Sequence, residues 1–340
     1  MTERPNLNDF IEAWPIFADA VWAGSLAGIA LGVLGVYIVL GRMVFLTAAL
    51  SQVASLGVAT TYLLAAFLGG VFTHFSPTFG SLIFVLFCLI LALKFDEEDR
   101  SERDAMLGIL FVGGSSGTLL IANLIPQEMA DIQSILFGSA VAVLPADLYL
   151  VGICVLLALT LQLLGWRGFV EMLYDPSTAR VRRLPLPTLR WLLVGSIAVL
   201  VAIITRTLGA LPTFSMTILP AIAAIQWAPN IPRAMLLAGF FGLTMGSVGY
   251  FVAFRYGFPV GASQTIVGIV LVFFSKVIKA IQQQATRSQM VEPSIIAPAQ
   301  PHHHHHHHHG HSHRHHQAHA ENPTNSEDDE TTSDLTGRQG

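Results

Sequence analysis

Nine stretches of mostly apolar residues, near 18–40, 46–72, 79–95, 105–125, 147–166, 189–206, 208–226, 234–254 and 260–278, constrain this chain more than anything else in it. A run of about 20 such residues is long enough to cross the hydrocarbon core of a bilayer as an α-helix. The middle of each run holds no Asp, Glu, His, Lys or Arg. Asp19, Lys94, Asp104 and Asp147 fall at the ends. In hydrocarbon the backbone must satisfy its own hydrogen bonds, so runs of this length fold as helices. The expected fold is all-α, a polytopic transmembrane bundle of about nine spans. Charged residues make up 12% of the chain, against about a quarter in soluble domains. A formal net charge of −4 gives no basic surface for nucleic acid.

Three regions follow. Residues 1–17 form an N-terminal extracytoplasmic segment, 18–280 the transmembrane domain, and 281–340 a polar tail read as disordered and cytoplasmic. The opening MTERPNLNDF lacks the basic start of a secretory signal, and the first span is too long for a cleaved signal core. It is expected to remain as a membrane helix. Cys88 and Cys154 sit inside apolar runs and read as buried thiols rather than a disulfide.

Orientation follows from the cations. With the N-terminus outside, Arg42, Lys94, Arg100, Arg103, Arg167, Arg180, Arg182, Arg183, Arg190, Arg233, Lys276, Lys279 and Arg287 all fall inside. Only Arg4, Arg206 and Arg255 fall outside. The seventh run is the weakest. Pro212 and Pro220 interrupt it, so a short or discontinuous helix is expected there.

Small residues mark helix contacts. Gly24, Gly28 and Gly32 repeat every fourth residue. Gly242, Gly246 and Gly249 share much of one face, and Gly113, Gly114 and Gly117 cluster. Such patterns bring backbones close in lipid and speak for packing. Ala48, Gln52 and Ser55, spaced four and three apart, form a polar stripe on one helix face, a candidate lining for a transport path.

The absence of midplane charge argues against an ion-coupled carrier, whose driving ion needs ionisable groups. No G-x-x-x-x-G-K-[ST] loop, H-E-x-x-H or Ser/His/Asp set is present, so neither ATP hydrolysis nor another enzyme activity is expected of this chain. Energy for transport would come from another polypeptide. Two segments could meet it: the charged loop Lys94–Asp104, and Gly168–Pro187. In the second, Asp175 is placed to cap a short helix begun by Pro176 and containing Ser177, Thr178 and Ala179. Between the fourth and fifth runs, residues 125–147 read as an interfacial amphipathic helix, and His74 as loop surface.

Six motifs in order carry a resemblance. They are Gly32, Gly35, Val36, Tyr37 and Arg42 to Phe45; Asp104 with Gly108; Leu136, Phe137, Gly138, Ser139, Val143 and Asp147; Tyr174, Asp175, Pro176 and Ala179; Gly209, Ala210, Leu211, Ser215, Pro220 and Ala221; and Phe258 to Gly261. Over roughly 20–280 the chain resembles the integral-membrane permeases of ATP-binding-cassette importers for zinc, manganese or iron. The resemblance implies a bacterial inner-membrane permease whose two copies form the pore. It implies two cytoplasmic ATPase subunits that bind ATP, and a periplasmic or surface metal-binding protein that delivers the ion. Alternating access would follow, with Tyr174, Asp175, Pro176 and Ala179 as the coupling segment. Ala48, Gln52, Ser55, Ser215 and Thr217 would line the path, and no cofactor would be permanently bound. There is one departure. The family carries Asp and, four residues later, His in the second span, where this chain has Ala48 and Gln52. A neutral amide is a poor substitute for imidazole. This opens a metal chelate as an alternative cargo.

The tail carries thirteen of the chain's 14 histidines: His302, His303, His304, His305, His306, His307, His308, His309, His311, His313, His315, His316 and His319. Neutral imidazole suits zinc, nickel, cobalt and copper, so the tail is a candidate metal ligand and favours zinc as substrate. The acidic, polar residues that follow carry no structural expectation beyond disorder.

Overall fold

The computed structural model describes residues 7–69, 75–94, 100–125 and 143–291, of which those up to Met290 belong to one compact unit. Eleven helices and no strand occur among the described residues. They are α1 (Leu7–Glu12), α2 (Trp14–Leu40), α3 (Val44–Leu68), α4 (Pro77–Lys94), α5 (Arg100–Leu124), α6 (Pro145–Tyr174), α7 (Pro176–Val181), α8 (Leu186–Leu208), α9 (Ala210–Ile225), α10 (Ile231–Tyr256) and α11 (Val260–Val291). Eight of them are long and apolar enough to span a membrane; α9 is apolar but shorter. Its 16 residues reach about 24 Å, less than the roughly 30 Å hydrocarbon core.

Of the two forms expected, α9 takes the short one: it is a single continuous helix containing Pro220, not a discontinuous one. Pro212 falls in the first turn, where backbone N–H groups have no intrahelical partner to lose. Pro220 forgoes one ladder bond, and burial of most of α9 among its neighbours holds the turn in place. The fifth span also runs further than expected. α6 continues to Tyr174, so Gly168–Tyr174 is the last part of a spanning helix rather than a separate surface segment. The expected amphipathic helix at 125–147 lies almost wholly outside the described residues, as do His74 and most of the charged loop before Arg100.

α2 and α3 are the innermost spans, whereas α6 and α11 are the least buried. α2 packs on α10, α9 and α6; α3 packs on α5, α4, α8 and α9. The glycine repeats make the first of these junctions. Gly24, Gly28 and Gly32 of α2 meet Gly246, Gly242 and Ala238 of α10 backbone to backbone. A Cβ on Gly28 would lie 2.2 Å from the Gly242 carbonyl oxygen, so no other residue fits without parting the helices. Gly114 of α5 rests on the backbone of Gln52 in the same way, and Gly35 of α2 on the Thr217 carbonyl. Cys88 is buried and Cys154 half-buried, and both are free thiols.

Candidate coupling element and transport path

α7 is built by its sequence. Asp175 sits at the N-cap with its Oδ1 accepting from the Thr178 backbone N–H at 3.0 Å and from the Ser177 hydroxyl. Pro176 follows at the first helical position, where its missing N–H costs nothing. The hydrogen bonds from Ser177 and then Thr178 favour the ionised carboxylate and lower the Asp175 pKa from 3.8 to about 2. At the other end Arg183 adopts φ 55°, and the Leu184 N–H closes on the Ala179 carbonyl at 3.1 Å. This is a Schellman closure with arginine where glycine is usual. Ala179 is fully buried, whereas Tyr174 and Val181 are exposed. Arg182 pairs with Glu171 at 2.8 Å, tying α7 back to α6. Of the four residues expected to form a coupling segment, Pro176 and Ala179 lie in the six-residue α7, Asp175 caps it and Tyr174 ends α6, so they are contiguous at one turn of the chain.

The turn from α2 to α3 repeats the device. Arg42 has φ 54°, with the Met43 N–H bonded to the Ile38 carbonyl at 2.9 Å. Arg42, Gly41, Tyr174 and Pro176 border a cavity of about 370 Å³, so this motif and the coupling segment meet at one end of the bundle.

The five candidate path residues lie on two helices, α3 and α9. On α3, Ala48 and Ser55 are buried and joined through Ser51. The Ser51 hydroxyl donates to the Ala48 carbonyl at 2.9 Å, and that of Ser55 to the Ser51 carbonyl at 3.2 Å. Gln52 is half-buried, and its buried side-chain oxygen has no hydrogen-bond partner among the described residues. On α9, Ser215 donates to the Pro212 carbonyl at 3.1 Å and accepts from Thr265 of α11 at 2.9 Å. Thr217 donates to the Thr213 carbonyl at 2.7 Å, and its own carbonyl packs against Gly35. The hydroxyls are therefore satisfied within the protein; the Gln52 carbonyl oxygen is the acceptor of this set left open. α3 and α9 pack on each other. Among the described residues no group of three His, Cys, Asp or Glu could hold a metal. The tail histidines lie outside them.

Sequence reasoning passed over several buried polar groups. Gln264 is 1% exposed on α11, its amide nitrogen 3.4 Å from the Gly246 carbonyl. Gln162 of α6 donates to Ser196 of α8 at 3.1 Å. Each is a lone amide in an apolar run, which is the signal that could have found it. Asp147 pairs with Arg206, joining the start of α6 to the end of α8.

Comparison with known proteins agrees with this architecture. The manganese transport system membrane protein MntC of Halalkalibacterium halodurans is 26% identical over 268 residues, covering 77% of this chain and 87% of that protein. The high-affinity zinc uptake system membrane protein ZnuB of Haemophilus influenzae is 25% identical, covering 65% and 81%. The structure of PsaBC from Streptococcus pneumoniae in complex with Fab superposes with a TM-score of 0.69 at 22% identity, over 79% of this chain and 95% of that one. The pattern of the ABC 3 transport family matches residues 13–279, and the chain belongs to that family of membrane permeases.

Proposed function

We propose that this chain is the pore-forming subunit of an importer for a divalent transition metal, zinc before manganese or iron. Two copies enclose the path. A cytoplasmic ATPase subunit docks on α7 and drives alternating access, and a periplasmic or surface metal-binding protein delivers the ion. The observation that carries this reading is the capped helix α7, a rigid exposed element fixed to the end of a bundle whose spans carry no midplane charge. Such a bundle has nothing to couple to an ion gradient and a natural handle for mechanical work. The arginine bias supports a cytoplasmic α7 and C-terminal tail, with α9 counted as a ninth crossing.

Zinc is preferred because the thirteen tail histidines suit it better than manganese. On this reading the tail receives or buffers metal after entry, and its hold weakens as pH falls through the imidazole range. Deleting residues 301–320 then spares insertion and changes intracellular metal retention. Unchanged retention removes that role. Reconstitution with the partner ATPase tests the main reading: ATP hydrolysis should be stimulated by zinc-loaded binding protein. Stimulation by manganese alone would overturn the choice of metal.

A second reading rests on Ala48 and Gln52. The one open acceptor there is a neutral amide oxygen, which fits a chelated metal better than a bare one. The double variant A48D/Q52H decides between them. Retained or improved uptake of the free ion supports a bare-metal path; abolished uptake of the true substrate supports the chelate.

A further inference from the structure

A second cavity, of about 560 Å³, adjoins the first at Gly41, Met172, Leu173 and Pro176 and is lined by three arginines from three helices: Arg103 of α5, Arg180 of α7 and Arg190 of α8. Arg103 is only 9% exposed, and among the described residues its ion-pair partner is Asp104, at 3.6 Å. Neither Arg180 nor Arg190 has an ion-pair partner among the described residues. The backbone adds to the excess. Arg103 is the fourth residue of α5 and Arg190 the fifth of α8, both at helix N-termini, where the dipole opposes a cation and favours an anion. Among the described residues the one ion pair these guanidinium groups make is that of Arg103 with Asp104, which leaves an excess of positive charge that an anion relieves.

The surroundings identify the kind of anion. The rim is formed by the ends of spans: Met43 at the start of α3, Leu93 in the last turn of α4, and Trp191 in α8. Trp191 is 47% exposed, and its neighbour Leu192 is 43% exposed. A half-exposed indole beside cations at the end of a span marks the headgroup level of a bilayer. A basic pocket between spans at that depth binds a lipid phosphate.

We propose that this groove is a binding site for the phosphodiester headgroup of an anionic lipid such as phosphatidylglycerol, with Arg103, Arg180 and Arg190 on the phosphate and Trp191 at the interface. The bound lipid neutralises the groove beside α7 and fixes that end of the bundle. This site is independent of which substrate the protein carries.

Native mass spectrometry of the full chain in detergent, titrated with phosphatidylglycerol or phosphatidylcholine, tests it. The wild type should retain phosphatidylglycerol in preference. R180Q and R190Q should each weaken that retention about fivefold, and the double variant about twenty-five-fold. Both residues lie at the surface or half-buried, so their variants test the site even if R103Q fails to fold. R233Q, an exposed cation at the start of α10 that does not line the groove, should leave retention unchanged. Three results overturn the proposal. One is a wild type with no preference, as when the acidic run Asp96–Asp99 already neutralises the arginines. Another is displacement of the lipid by millimolar inorganic phosphate, which makes it a free-anion site. The third is variants that keep the lipid preference and lose affinity for the partner ATPase, which makes it a protein-docking site.

Discussion

Replacing Gly242 by alanine should cost this protein far more than one methyl group suggests. The added Cβ would lie 1.9 Å from the Gly28 carbonyl oxygen and 2.5 Å from its carbon. An ordinary carbon–oxygen contact is about 3.3 Å. α2 and α10 must therefore part by roughly 1.4 Å, because the obstructing atoms are backbone and cannot rotate away. A gap of that size forfeits more than half of each dispersion contact along the crossing. Overpacking costs about 1–3 kcal/mol, and this clash belongs at the upper end, about a hundredfold in the folding equilibrium. The control is G113A. A Cβ there meets nothing within 4 Å, so the change should be neutral or stabilising by up to about 1 kcal/mol. Unfolding the purified variants in a detergent series measures both. If G242A unfolds at the same point as G113A, the backbone crossing described here is wrong.

Other perturbations probe other junctions. Removing either partner of the Asp147–Arg206 pair should destabilise by about 1.5–3 kcal/mol, and removing both should cost less than the sum of the singles. D175A should uncouple metal-stimulated ATP hydrolysis while leaving membrane insertion intact, whereas D175N and D175S, which also cap, should retain coupling. Because the Asp175 pKa is lowered from 3.8 to about 2, its ionised cap adds stability above pH 4 that is lost only as pH falls through about 2. Hydrogen exchange of α7 should accordingly be protected equally at pH 5 and pH 7. R183G should strengthen the end of α7 by about 1 kcal/mol, since glycine adopts φ 55° without strain, and the same exchange measurement reads it.

The sequence exposed the parts of this molecule that rest on local periodicity. Runs of apolar residues placed every span, and glycine spacing found the α2–α10 contact before any geometry was known. Asp175 followed by Pro176 announced α7, because capping is a matter of adjacent residues. What depended on neighbours in space was hidden. Nothing in the chain order pairs Asp147 with Arg206, or joins Ser215 to Thr265. The prolines marked α9 as short, but whether it is also broken depends on neighbours: local rules break a helix at proline, and the packing that keeps α9 whole comes from other helices. The stripe of Ala48, Gln52 and Ser55 was legible as a face, but its hydroxyl proved bonded within its own helix, leaving the Gln52 oxygen as the open group.

The central claim is that this bundle offers a path and a handle but no motor. Its most direct test is zinc accumulation in sealed liposomes containing the purified chain, alone or with its partner ATPase and binding protein. Uptake above equilibrium is expected only with the partners and ATP present, and none from the chain alone under an imposed proton gradient. Concentrative uptake by the chain alone would contradict it.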